Sequence, residues 1–147
     1  MNKNFSRECD IAITSGDIEK IDELIKQLKN LEENTERSPL LTHIWYCISN
    51  LYSTKARIFC EDISIWRNQT FPVYTIQSTN YMRRAYREYF RNNNNVGMCF
   101  EIQTNLANIF HRFCRDIEAI SLWSFDYSKA INSDSMFVAP FNKARTL

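Results

Sequence analysis

Glycine occurs only twice in these 147 residues and proline three times. Sheets joined by tight turns draw on glycine, so this scarcity weighs against an all-β fold and favours helices. No apolar run approaches the roughly 20 residues needed to span a bilayer, and no signal peptide is recognisable. The five cysteines, Cys9, Cys47, Cys60, Cys99 and Cys114, are odd in number and contain no C-x-x-C. A disulfide framework is therefore not expected, and the thiols read as small buried side chains in a reducing compartment. A cytoplasmic protein without membrane contact is the expectation. An excess of charge of one sign is also missing, since the net charge is +1. Residues 1–35 carry a balance of −3 and the rest +4, far from a polybasic surface. There is no Gly-rich phosphate loop, no nucleophile elbow and no convergent set of metal ligands. No cofactor is expected, and no motif names a reaction, so this chain by itself reads as a non-enzyme.

What is present is core-forming material. Hydrophobic residues make up 44% and aromatics 14%, which excludes a disordered chain. The length suits one domain or a few repeats of a solenoid. Residues 5–14 predict a short helix, broken by Ser15-Gly16-Asp17, with Asp17 as N-cap of the next. In IEKIDELIKQLKNLEE, the residues Ile18, Ile21, Leu24, Ile25, Leu28 and Leu31 recur with the helical period. Ser38-Pro39 predicts a cap and a first-turn proline ahead of LLTHIWYCISNLYSTKARI, where Leu41, Trp45, Ile48 and Tyr52 repeat. This helix is expected to run to about Trp66. Between Cys60 and Thr79 no single period fits, which predicts an irregular packed insertion. YMRRAYREYFR over 81–91 is helical, and Asn92–Asn95 with Gly97 stop it. MCFEIQTNLANIFHRF and IEAISLWSFDYSKAI predict two more helices around a turn at Arg115-Asp116. INSDSMFVAP reads as a loop, and FNKARTL as the start of a helix cut short, the sign of a fragment of a longer protein.

Two segments share a frame. Trp45, Ile48, Ser49 and Tyr52 follow W-x2-L-G-x2-Y with conservative swaps. Leu106, Ala107 and Phe110 repeat its last three positions, and Ala119 and Trp123 follow as A-x3-F. Ala85 and Tyr89 supply A-x3-F for the first segment after an insertion. These residues resemble the tetratricopeptide repeat (TPR), a helix–turn–helix unit of about 34 residues. The resemblance implies an all-α fold of TPR-like hairpins in an α-solenoid with one irregular insertion, as a single domain over 1–147. The hairpins fall at roughly 5–34, 38–91 with insertion 60–79, and 98–131. It implies that Ser49 and Ala107 let a paired helix approach closely, and that Tyr52 and Phe110 fill the hairpins. A narrower resemblance is to bacterial proteins with TPR-like helices ahead of a HEPN ribonuclease domain. Arg37 and His43 imitate the spacing of the HEPN motif, but Pro39 separates them. If such a domain belongs to this protein, it is expected beyond Leu147, and the resemblance then implies that this chain is the N-terminal regulatory module of a HEPN-type ribonuclease.

In the TPR register His43, Tyr46, Asn50, Thr104, Asn108, His111 and Arg112 share the face that lines the concave groove. They imply an interaction scaffold: amides pair with an extended peptide backbone and Arg112 meets a carboxylate. The bland alternative is a solvated helix face. Arg83, Arg87 and Arg91 recur at i, i+4, i+8 beside Arg84, interleaved with Tyr81, Tyr86, Tyr89 and Phe90. A nucleic-acid-contacting helix is the second reading of that pattern. The near-neutral charge and Glu88 favour core aromatics under a solvated arginine face. The expected partner is a protein or peptide, and an exposed solenoid end leaves oligomerisation open.

Overall fold

The computed structural model describes residues 5–36, 39–59, 73–92, 96–112, 115–124 and 135–146. Within these, seven helices and no strand are found: α1 (Phe5–Ser15), α2 (Ile18–Glu33), α3 (Pro39–Ile58), α4 (Val73–Asn92), α5 (Val96–Arg112), α6 (Asp116–Trp123) and α7 (Ser135–Thr146). The chain is all-helical over the described residues, as its low glycine content requires. No helix among them is long and apolar enough to cross a membrane.

Local chemistry sets the first hairpin. Gly16 takes φ +68°, a left-handed conformation that side chains with a Cβ resist, and its N–H closes on the Ala12 carbonyl at 2.9 Å. Asp17 then caps α2, its carboxylate accepting from the Lys20 amide at 3.2 Å. Ile21, Leu24, Ile25 and Leu28 are buried along α2, the middle of the stripe that the period picks out. They join Cys9 and Ala12 of α1 and Ile44, Cys47, Ile48 and Leu51 of α3 in one core.

The most extensive contact in the fold is between α3 and α4. Ser49 and Ser78 are both fully buried there. Each hydroxyl donates to the other residue's carbonyl, at 2.7 and 2.9 Å, and the two oxygens lie 3.1 Å apart. Small side chains bring the two backbones this close, which is the role expected of Ser49. One turn on, Tyr52 stacks on Tyr81 of α4 with centroids 5.9 Å apart, and its hydroxyl accepts from Lys29 at 2.7 Å. A second core gathers Met82, Ala85 and Tyr89 of α4, Ile102, Leu106, Ala107 and Phe110 of α5, and Ala119 and Trp123 of α6. Trp45 and Tyr46 pack against both cores.

Each helix packs on the next, and α1 also touches α3, as α5 touches α7. Several boundaries differ from expectation, among them the end of α6 at Trp123, where a helix on to Ile131 is expected. Helix α4 begins at Val73, inside the stretch 60–79 read as irregular. Val73, Thr75, Ile76 and Thr79 are weak helix formers, but Thr75, Ser78 and Thr79 are buried, and packing on α3 overrides propensity. Helix α3 ends at Ile58 rather than near Trp66. Helix α7 begins at Ser135 and takes in the run SMFVAP, with Pro140 inside it. The remainder of the insertion, 60–72, lies outside the described residues, as do Ser38, 93–95 and 125–134. Gly97 sits in the first turn of α5 rather than closing α4.

Candidate functional site

Three of the groove candidates lie on α3, at spacings of three and four, which place His43, Tyr46 and Asn50 on one stripe. The His43 ring lies 5.3 Å from Phe5 of α1 and stacks on Tyr46 at 6.4 Å. Its Nε2 is 3.9 Å from the Cys47 thiol. Burial holds His43 below the ordinary imidazole range, with the Asp10 carboxylate pulling the other way. A neutral ring packed in this way serves as a wedge between α1 and α3. Tyr46 is largely withdrawn from water, which pushes its phenol up to about 12. Asn50 and Asn105 both hydrogen-bond to it, the latter donating its amide N–H at 3.0 Å.

The remaining candidates lie on α5. Asn108 Oδ1 accepts two hydrogen bonds, from Trp123 Nε1 of α6 at 3.2 Å and from Asn142 Nδ2 of α7 at 2.9 Å. One amide oxygen thus ties three helices together. His111 Nδ1 meets Asp116 Oδ1 at 2.8 Å, and its ring lies 5.9 Å from the Trp123 ring. Thr104 is buried at 3% exposure, and its hydroxyl finds no hydrogen-bond partner among the described residues. Arg112 ends α5, and its side chain is outside the described set.

The link between the two groups is Asn105, which sequence reasoning did not single out. Among the described residues, no hydrogen bond or ion pair joins His43 or Asn50 to Thr104, Asn108 or His111. The Tyr46–Asn105 bond is a polar bridge from α3 to α5. Asn142 gives no local signal of its role either, because its partner is 34 residues away. Arg37 lies outside the described residues, and His43 stands alone in the packing between α1 and α3.

The arginine helix divides. Arg84 turns toward α2, with its guanidinium 3.5 Å from Glu32 and 4.9 Å from the Tyr81 ring centroid. Arg83 turns toward α5, 5.1 Å from the Phe110 centroid, and Arg115 approaches that same ring at 4.8 Å. Arg87 is exposed. Arg91 lies on α4, and its side chain is not among those described. Burial lowers the Arg83 pKa, and the like charges of Arg115 and Arg87 add to the effect. Among the described residues no three His, Cys, Asp or Glu side chains are grouped to hold a metal. No protein-family model, no curated protein and no solved structure matches the chain.

Proposed function

We propose that this chain is an interaction scaffold: a TPR-like array whose odd-numbered helices form the wall of a groove that holds an extended protein segment. The segment belongs to a partner or to another part of the same protein. The observation that supports this most is the pattern of packing. Consecutive helices pair, alternate helices α1 and α3 and again α5 and α7 touch, and α3 and α5, in less extensive contact, are joined by the Tyr46–Asn105 hydrogen bond. Such nearest-neighbour stacking leaves one helix of every pair along a common face, the usual binding face of a helical repeat.

The polar groups on that face retain capacity after their internal bonds are counted. Asn108 spends its carbonyl oxygen on Trp123 and Asn142, and among the described residues its amide N–H groups have no partner, which suits a peptide carbonyl. His111 spends Nδ1 on Asp116, and among the described residues its Nε2 has no hydrogen-bond partner. Asn50 stands one helical position after the small residue Ser49, as Asn108 follows Ala107. A library of extended peptides displayed on phage tests the reading. Selected peptides should bind the full chain with micromolar affinity and lose about tenfold with Asn50→Ala or His111→Ala, while helicity by circular dichroism stays. Undiminished binding by both variants removes this face from the proposal.

A further inference from the structure

We infer that Arg83, Arg87 and Arg115 form a binding site for the phosphoryl group of a small phosphorylated molecule, at the junction of α4, α5 and α6. This is independent of the groove reading. Two guanidiniums approach one phenyl ring, Arg83 at 5.1 Å and Arg115 at 4.8 Å from the centroid of Phe110. Their central carbons are thus no more than about 10 Å apart, comparable with the screening length at about 0.1 M salt. They feel each other, and Arg87 joins them: the charges that act on Arg83 are those of Arg115 and Arg87, both positive.

Like charges gathered on a buried ring are unfavourable unless an anion completes them. The structure provides a partial counter-charge. Glu118 Oε1 accepts from Arg115 through Nε at 3.1 Å and through Nη2 at 2.8 Å. Among the described residues Glu118 pairs with Arg115, which leaves the positive charges of Arg83 and Arg87. A phosphate monoester carries about −1.5 to −2 at neutral pH and offers three acceptor oxygens, which matches both the charge and the planar N–H forks. Stacking on Phe110 holds two of the forks in place before any ligand arrives, which lowers the ordering cost of binding.

The division of the arginine helix favours a compact ligand over a nucleic-acid strand. A strand would need a continuous charged row along α4, but Arg84 is engaged with Glu32 and Tyr81 on the other side. Of the described row, Arg83 lies with Arg115 against Phe110, and Arg87 follows Arg83 one turn along α4.

Isothermal titration of the full chain with pyrophosphate at low salt tests the site. Pyrophosphate should bind, and Arg87→Gln should weaken it at least tenfold with an unchanged thermal midpoint, since Arg87 is exposed. Arg115→Gln should do the same, and Arg83→Met, which keeps a flexible stem over Phe110, guards against a loss of fold. Citrate and an oligouridylate are the comparison ligands. Absence of pyrophosphate binding overturns the site. So does equal affinity for citrate, binding by oligouridylate alone, or full affinity in the Arg87 and Arg115 variants.

Discussion

Tyr46 and Asn105, 59 residues apart in sequence, are joined by a 3.0 Å hydrogen bond from the asparagine amide to the phenolic oxygen. Tyr46 packs against the core of α1–α3 and against the core of α4–α6, so the bond sits at the seam between them. It connects two helices that are not consecutive.

Replacing Tyr46 with Phe keeps the ring and removes the acceptor. The expected cost is about 0.5–1.5 kcal/mol, the net value of such a bond. The pH dependence carries more information. Tyr46 ionises at about 12 in the folded chain against an ordinary value of 10.0. The folded state therefore holds the phenolic proton more tightly than the unfolded state does. This contribution is fully present below pH 10 and is lost as pH rises from about 10 to about 12, up to about 3 kcal/mol. Urea midpoints measured across that range should fall more steeply for the native chain than for Tyr46→Phe. Parallel curves would show that Tyr46 is solvated.

The Ser49–Ser78 contact predicts a size effect. Ser49→Ala removes a donor whose partner carbonyl belongs to a helix, and should cost about 1 kcal/mol. Ser49→Leu forces a branched side chain between two backbones already in contact and should cost about 3 kcal/mol or prevent folding. Ser49→Ala combined with Ser78→Ala should cost less than the two single changes added, because the hydroxyls share one network. Chemical denaturation of the four chains gives the answer, and simple additivity would mean that the two bonds act separately.

These two contacts also mark what the sequence makes legible. The stripe Ile21, Leu24, Ile25 and Leu28 follows from period alone, because an isolated amphipathic helix can bury only one face. Gly16 and Asp17 follow from local backbone chemistry. Ser49 is readable as a small residue in a repeat frame, yet its partner Ser78 is not. Ser78 lies in a stretch of β-branched and polar residues whose helical state is a product of packing on α3. The candidate site is less legible still. Period assigns Asn108 to a face, but nothing local shows that Trp123 and Asn142 converge on its oxygen. Likewise Arg83 and Arg115 are 32 positions apart, and only the fold brings them to one ring.

Lys55 separates charge from packing. Its ammonium meets Asp22 at 2.6 Å and lies 4.3 Å from the Tyr74 centroid, with the lysine side chain 10% exposed and the aspartate 52%. Burial is the largest single influence and pulls its pKa down, but Asp22 and Tyr74 together outweigh it, so the net shift is upward. The stabilisation from the charge is thus present below the ordinary lysine range and lost as pH rises beyond it. Lys55→Met, which keeps the stem, should change stability by less than about 1 kcal/mol, because desolvation offsets most of the ion pair's gain. Lys55→Ala should cost about 1–2 kcal/mol through lost packing over Tyr74. Equal losses in the two variants would assign the effect to the charge.

Thr104 predicts a gain. Its buried hydroxyl has no partner among the described residues, and an unmet polar group of this kind costs about 1–3 kcal/mol. Thr104→Val replaces the hydroxyl by a methyl of similar shape and should be neutral or stabilising by about 1 kcal/mol. A rise in thermal midpoint with unchanged peptide binding would make Thr104 a core position rather than part of the groove. A loss of stability would mean that the hydroxyl is hydrogen-bonded in solution.

Asn108 is the residue at which stability and recognition meet. Its oxygen accepts from the indole of Trp123, which is 1% exposed, and from Asn142, so α5, α6 and α7 all depend on it. Asn108→Ala takes that acceptor away from two donors and should cost about 2–3 kcal/mol, with a red-shifted tryptophan emission as the indole meets water. A binding defect in this variant would therefore say little about the groove. Asn108→Asp separates the roles. Its carboxylate still accepts from both donors, and such charge-assisted bonds are strong, so above the carboxylate range the helices should stay docked with native-like emission. The same change removes the amide N–H groups that the groove reading assigns to a peptide carbonyl. A folded Asn108→Asp chain that no longer binds its selected peptide would place Asn108 in recognition as well as in the core. A folded chain that binds normally would confine it to the core.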